Sequence, residues 1–357
     1  LLPAFTDIMV DCARQMAESW ATHPATAPVD MLEEMGRLTS RIIGRTVFGD
    51  ETSDEEAFRV IRGFAQYQKT VEQLSLADTF GLPQLRWLKN PWNRARTLHS
   101  ATRVQAVIDG IIARHKARPP QRFTLLSLLS EGYTGRKDGA RRCPLHVDAA
   151  RNEAIVMFMA GHETTANSLT WTWYLLDSHP RVREKLQEEL DRVLGDRPPT
   201  LEDVSQLIYT RAVFEEAMRL YPPVPLLTRQ SRRDDNLRGE HIPAGSIILV
   251  IPWLLHRHRA YWKHPDHFIP ERFLPPNPRP DKYAYFPFSV GQRVCLGMRF
   301  GLTEGILCLA TLARQFDAHV AQGHQVGIEC RLTLRPKNGL PMIVQPRSQR
   351  KDARNAH

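Results

Sequence analysis

The chain has 357 residues, 42% of them apolar and 24% charged, the balance of a folded globular protein and not of a disordered one. Five scattered cysteines, odd in number and without a CxxC pair, argue against a disulfide framework or a zinc site and suit a reducing compartment. The net charge of +9 comes from dispersed Lys and Arg, which disfavours a nucleic-acid binder and favours docking of an acidic partner.

The opening "LLPAFTDIMVDCARQ" has neither the basic start nor the unbroken apolar run of a signal peptide. Apolar periodicity then predicts helices over about 3–19, 29–48, 54–75, 91–116, 148–178, 180–194, 208–220 and 298–316, with a short one in "TLLSLLSEG". "GYTGRKDGARRCPL" reads as an exposed connection. The longest apolar stretch, near 154–176, is interrupted by "GHETT" and an Asn, so no membrane span is expected and the chain reads as cytoplasmic. Strand signals are confined to "LRGEHIPAGSIILVIPW" and to "VGIECRLTLRPKNGLPMIVQP" near the end. "PERFLPPNPRPDKYAYFPF" lacks periodicity but carries aromatics, as a loop packed on the body would. With no internal repeat and no linker, the expectation is one mainly α domain with a small β-sheet region.

Four stretches carry chemistry. In "AIVMFMAGHETTANSLTWTWYLL", Gly161, Glu163, Thr164 and Thr165 interrupt a helix that is otherwise apolar all round. A glycine there leaves space beside the helix, and a Thr hydroxyl can take a carbonyl of its own helix as acceptor. Buried polar groups need partners, so water or a polar ligand is expected; a simple packing crossover at a small residue explains the pattern equally well. In "FEEAMRLYPPVPLLTR", Glu216 and Arg219 lie three apart on one helical face, and the adjoining apolar "LYPPVP" points to partial burial. A buried pair of this kind needs a third member to satisfy the guanidinium, and Arg272 of "PERF" is available. "HRHRAYWKHPDHF" holds four histidines, His256, His258, His264 and His267, but their spacing matches no metal motif and they read as structural or surface residues. In "FPFSVGQRVCLG", Gly291 and Gly297 bracket Cys295 just ahead of a helix. There the unpaired N–H groups and the dipole favour a thiolate, and Phe288 and Arg293 could supply an apolar face and a cation, so the cysteine is either a buried structural thiol or a metal ligand.

Taken together, these stretches resemble the cytochrome P-450 superfamily of haem-thiolate monooxygenases, in the order that family shows. Ala160, Gly161, His162, Glu163 and Thr164 match its oxygen-activating helix motif, Glu216 and Arg219 its Glu-x-x-Arg pair, and Pro270 to Phe273 its Pro-Glu-Arg-Phe stretch. Phe288, Gly291, Arg293, Cys295 and Gly297 match its haem loop. The resemblance implies that Cys295 is the axial ligand of haem b iron, with Phe288 shielding it and Arg293 and Arg229 pairing with the propionates. Gly291, Gly297, Ala160 and Gly161 would line the cofactor. Thr164 and Glu163 would manage water and protons on the opposite face, while Glu216, Arg219 and Arg272 hold the proximal scaffold.

The implied reaction inserts one atom of O2 into an apolar small molecule lying near Met157, Ala160, Val224, Leu226 and Leu227. Electrons would pass from NAD(P)H through a reductase and a separate ferredoxin or flavodoxin, and the protein would act as a monomer. The resemblance covers 1–346 as a single domain, with 347–357 a frayed tail. "LLPAFT" resembles the end of the family's third major helix, so the chain is expected to lack the N-terminal helices and first sheet strands. The competing expectations are a peroxide-using or rearranging haem-thiolate protein, and a non-catalytic haem- or lipophile-binding or haem-incompetent truncated gene product.

Overall fold

The structure is a computed structural model that describes residues 2–49, 53, 55–57, 59–61, 63, 91–117, 122–131 and 147–347. Most of the helix expected over 54–75, the connection "GYTGRKDGARRCPL" and nearly all of the 347–357 tail lie outside the described residues. Among the described residues the chain is mainly helical, with small antiparallel sheets. It forms two compact units, one of Leu1–Cys12 and Glu34–Ala166, the other of Ala13–Glu33 and Asn167–His357.

The described residues of the first unit are mainly helical. It holds the start of α1 (Pro3–Thr22), most of α2 (Met31–Phe48), α3 (Pro91–Ala117), α4 (Leu125–Glu131) and the first part of α5 (Val147–Ser178). Pro3 opens α1, where its missing N–H has no partner to lose. Thr124 caps α4 by accepting the Ser127 N–H at 3.1 Å. Ser53 and Glu56 form a reciprocal capping box, the Ser53 N–H donating to Glu56 Oε2 at 3.1 Å and the Glu56 N–H to Ser53 Oγ at 3.2 Å. Residues 55–57, 59–61 and 63 are helical after it. The core is aliphatic and aromatic: Met35, Leu38, Ile42 and Val47 of α2, Ile108 of α3, Leu126 of α4 and Phe158 of α5 are buried. Phe48 and Phe158 pack with centroids 5.9 Å apart.

Among the described residues, the second unit carries all the strands. A three-stranded antiparallel sheet runs β1 (Val29–Asp30), β9 (Pro341–Pro346), β6 (Phe316–Val320), with Val29 opposite Met342 and Ala318 opposite Val344. Three two-stranded pieces pair β2 (Leu227–Gln230) with β5 (Ile247–Val250), β3 (Asp235–Leu237) with β4 (Glu240–Ile242), and β7 (Gly327–Cys330) with β8 (Leu334–Lys337). Helices α6 (Pro180–Leu194), α7 (Ile208–Leu220), α8 (Pro252–Leu255) and α9 (Met298–Ala313) complete it. Helix α7 is buried on nearly every side, and its first N–H groups donate to one carboxylate: Tyr209 and Thr210 reach Glu189 at 2.7 and 2.8 Å. Against it lies α9, where a side chain on Gly305 would run into the Phe214 ring.

Two boundaries correct the sequence reading. Helix α2 starts at Met31, because Val29 and Asp30 pair with β9 and the Asp30 carboxylate caps the helix through the Leu32 N–H at 3.0 Å. Helix α9 ends at Ala313; Phe316 opens β6, with Phe316 and Ala318 buried on alternate positions. Strand signals are therefore not confined to the two expected stretches, since β1, β2 and β6 all lie outside them. The aromatic loop packs as expected: Pro270, Phe273, Ala284 and Phe286 are buried, and Pro270–Phe273 forms a 3₁₀ turn.

Candidate functional site

Cys295 sits two residues before Gly297, the residue preceding α9. It is a free, exposed cysteine. The approach is tightly turned. Ser289 and Gly291 have φ of +63° and +74°, and a 3₁₀ turn covers Gly291–Arg293. The strained residue is Ser289, since Gly291 adopts positive φ freely. The loop closes on itself when the Cys295 N–H donates to the Phe288 carbonyl at 2.9 Å. A Cβ on Gly297 would stand 3.8 Å from the Cys295 sulfur, in ordinary contact with it. Residues 291–299 are all exposed, the apolar Val294, Leu296 and Met298 among them, Leu296 at 98%. Phe288 is half-buried and Arg293 exposed.

Behind this loop is a buried ionic knot. Arg219 Nε and Nη2 donate to the two oxygens of Glu216 at 2.7 and 2.8 Å. The remaining donors reach the carbonyls of His256 at 2.7 Å, Pro265 at 2.6 Å and His267 at 2.9 Å. Arg272 Nε donates to Glu216 Oε1 at 3.2 Å, and the Ile269 N–H joins it at 2.9 Å. Trp262 lies under the guanidinium, 4.9 Å from centroid to Cζ. The three residues singled out in sequence thus meet, with their hydrogen-bonding capacity largely satisfied by backbone.

The knot also connects to the cysteine loop through a residue the sequence reading had grouped with the structural histidines. His256 is buried; its carbonyl accepts from Arg219, and its Nε2 accepts the Phe286 N–H at 3.1 Å. Burial, and then the Arg219 charge, hold its pKa down to about 3, so the ring is neutral and remains an acceptor. The Phe286 carbonyl in turn accepts the Ser289 N–H at 3.0 Å, at the start of the turn.

Val224, Leu226 and Leu227 follow α7 and are half-buried. Arg229 in β2 is exposed, opposite Ile248, and β5 presents Ile247, Ile248 and Leu249 to solvent.

In the first unit, Val156, Ala160 and Thr164 lie four apart along one face of α5, a stripe that is exposed at Val156 and Ala160 and half-buried at Thr164. Met157 is half-buried beside it, and Glu163 is buried. The Thr164 hydroxyl donates to the Ala160 carbonyl at 2.8 Å, the intrahelical bond expected of it. Gly161 is a correction. It leaves no space, because a Cβ there would stand 2.8 Å from Ile43 Cδ1 of α2. The glycine is needed for a close helix crossing, and the open surface belongs to Ala160 one residue earlier.

The cysteine loop fits a haem. Among the described residues no group of three or more His, Cys, Asp and Glu could hold a metal ion by side chains alone. Haem iron needs only one axial protein donor, and Cys295 is a free thiol on an exposed loop with aliphatic neighbours. No helix among the described residues is long and apolar enough to cross a membrane.

The chain is similar to proteins of one family. The family model described as "Cytochrome P450" matches residues 2–342. The protein named cytochrome P450 132 in Mycobacterium tuberculosis is 36% identical over 67% of this chain and 50% of its own length. Cyclooctatin synthase of Streptomyces melanosporofaciens is 31% identical over 90% of this chain and 69% of its own. The bifunctional cytochrome P450/NADPH–P450 reductase 2 of Bacillus subtilis is 31% identical over 97% of this chain and 33% of its own. The chain thus spans about half the length of the mycobacterial relative it matches.

Proposed function

The chain belongs to the cytochrome P450 family, and from that membership we propose that it is a haem-thiolate monooxygenase acting on an apolar organic substrate. The observation that carries this reading is Cys295, a free exposed thiol in a loop closed by the Phe288 carbonyl just ahead of α9. Haem and dioxygen, when bound, supply the hydroxylation or epoxidation chemistry that side chains alone lack. Cys295 Sγ would hold the haem iron, and as a thiolate it would be a stronger electron donor than an imidazole. Phe288 would screen the sulfur from water, and Arg293 and Arg229 would neutralise the carboxylates of the porphyrin. Gly291 and Gly297 would let the backbone come close to the ring.

On α5, Thr164 and Glu163 handle protons. The Thr164 hydroxyl holds its proton on the Ala160 carbonyl, and rotation away frees it to donate while Oγ accepts from water. Ala160 and Gly161 contribute a helix face without bulk on the one side and a tight crossing on the other. Met157 is assigned to substrate contact from α5, and Val224, Leu226 and Leu227 are assigned the same role from the segment after α7. Electrons reach the site from a separate ferredoxin or flavodoxin with its reductase, and the net charge of +9 suits an acidic carrier.

The test is an absorption spectrum of the purified protein loaded with haem and reduced under carbon monoxide. A strongly red-shifted band, that of a thiolate-ligated complex, is the expected result. A band of neutral-thiol or histidine ligation overturns the reading.

A further inference from the structure

Thr39 of α2 is buried, and its hydroxyl reaches the carbonyl of His162 at 2.9 Å, in the middle of the α5 motif. The two residues are 123 positions apart in sequence. Threonines inside helices ordinarily bond back to a carbonyl of their own helix, as Thr172 does to Ser168 at 2.7 Å and Thr311 to Leu307 at 2.7 Å. Thr39 has that option too, with the Met35 carbonyl at 2.9 Å. Its single proton is therefore shared between its own helix and the neighbouring one.

The seam around it is built for this approach. Gly36 lies one turn before Thr39, and a Cβ there would stand 3.8 Å from the His162 ring. Ile43, one turn after, fills the space at Gly161, and Gly44 faces Phe158. Glycines on both helices bring the backbones close enough for a side chain as short as threonine to reach across.

The His162 carbonyl belongs to the peptide whose N–H is that of Glu163, and Thr164 follows. A carbonyl oxygen has two lone pairs, so the Thr39 bond adds to the helical ladder and fixes the tilt of this peptide plane. We propose that Thr39 is a positioning residue: its hydroxyl, through the His162 carbonyl, sets the orientation of the α5 turn that carries Glu163 and Thr164, and with it the delivery of protons. The proposal rests on the monooxygenase reading for its consequence in turnover, while the positioning itself is a property of α2 and α5 alone.

The experiment compares hydrogen exchange across residues 157–166 in the haem-loaded protein and in Thr39→Val, Thr39→Ser and Thr46→Val. Thr46 is another fully buried threonine of α2 and serves as the control. Removing one net hydrogen bond predicts about five- to tenfold faster exchange in Thr39→Val. Thr39→Ser, which keeps the hydroxyl, is expected within about twofold of the parent, and Thr46→Val is expected to leave these amides unchanged. If Thr39→Val does not fold, Thr39→Cys keeps the volume with a much weaker donor and takes its place.

In turnover, Thr39→Val diverts reducing equivalents from product to hydrogen peroxide, and Thr39→Ser restores product. Unchanged exchange in α5 overturns the positioning role, and faster exchange with unchanged peroxide overturns the link to proton delivery. Absence of the thiolate band in the parent under carbon monoxide overturns the monooxygenase reading instead, and exchange still decides the role of Thr39.

Discussion

Arg219 and Glu216, three residues apart on α7 and both fully removed from solvent, form a two-pronged ion pair whose outer donors are spent on loop carbonyls. The arrangement ties three parts of the chain together. Arg219 holds the His256, Pro265 and His267 carbonyls, His256 holds the Phe286 N–H, and Phe286 opens the stretch that ends at Cys295.

Breaking this pair leaves one charge buried without its partner, which costs about 3–5 kcal/mol. Glu216→Gln is expected to lower the free energy of unfolding by that amount, and Arg219→Met by less, because Glu216 keeps Arg272. Arg219→Lys recovers little, because one ammonium cannot serve Glu216 and three carbonyls at once. Equilibrium unfolding followed by circular dichroism measures it. A loss below about 1 kcal/mol would reduce the knot to an ordinary surface pair.

His256 makes stability depend on pH. Its folded pKa is held down to about 3 by burial first and the Arg219 charge second. The unfolded chain takes up a proton on this ring from about pH 6.5 downward, and the folded chain does not until about pH 3. Stability attributable to this group is therefore complete above pH 6.5. It falls by up to about 1.4 kcal/mol per pH unit below that, until the folded ring also protonates. His256→Asn retains an acceptor and removes the titration. Denaturant midpoints between pH 7 and 4 should fall less steeply in the variant than in the parent, and parallel curves would remove His256 from the account.

Gly161→Ala tests the helix crossing. The new methyl meets Ile43 Cδ1 at 2.8 Å, and overpacking of this kind costs about 1–3 kcal/mol. Ile43→Val in the same chain gives the methyl room. The double variant should recover part of the loss, with a coupling of about 0.5 kcal/mol or more in a double-mutant cycle. Strictly additive effects would mean that α2 and α5 separate freely.

Cys295→Ala removes the sulfur from a loop whose own closure depends on the backbone, the Cys295 N–H on the Phe288 carbonyl. Folding stability should change by less than about 0.5 kcal/mol, as for an exposed position. The thiolate band of the reduced carbon monoxide complex should vanish. An unchanged spectrum would assign the ligand elsewhere.

Most of the helical framework and the chemistry-bearing stretches were legible in the sequence, since both depend on local pattern. Apolar residues at helical spacing placed α1, α3, α5, α6 and α7 to within a few residues, because a helix satisfies its own backbone and needs only one buried stripe or core to dock. The pairing of Glu216 with Arg219 followed from their spacing of three. The membership of Arg272 followed from the unsatisfied donors of a buried guanidinium. The strands were harder. Val29–Asp30 and Leu227–Gln230 are too short for a period of two to register, and each exists only because β9 or β5 supplies its hydrogen bonds. Phe316–Val320 did carry the alternation, but directly behind a helix, where the apolar residues read equally well as another turn.

What the tertiary structure alone decided are contacts between residues far apart in the chain. Nothing in "AGHETT" says that Gly161 is filled by Ile43 from α2, or that Thr39 reaches the His162 carbonyl. Nothing in "HRHRAYW" singles out His256 as the acceptor for Phe286. Periodicity reports which face of an element is buried. Which partner that face meets, and at what distance, is set by close packing of the whole unit. The sequence by itself therefore determined the elements and the types of residue available for chemistry, and packing decided which of them touch.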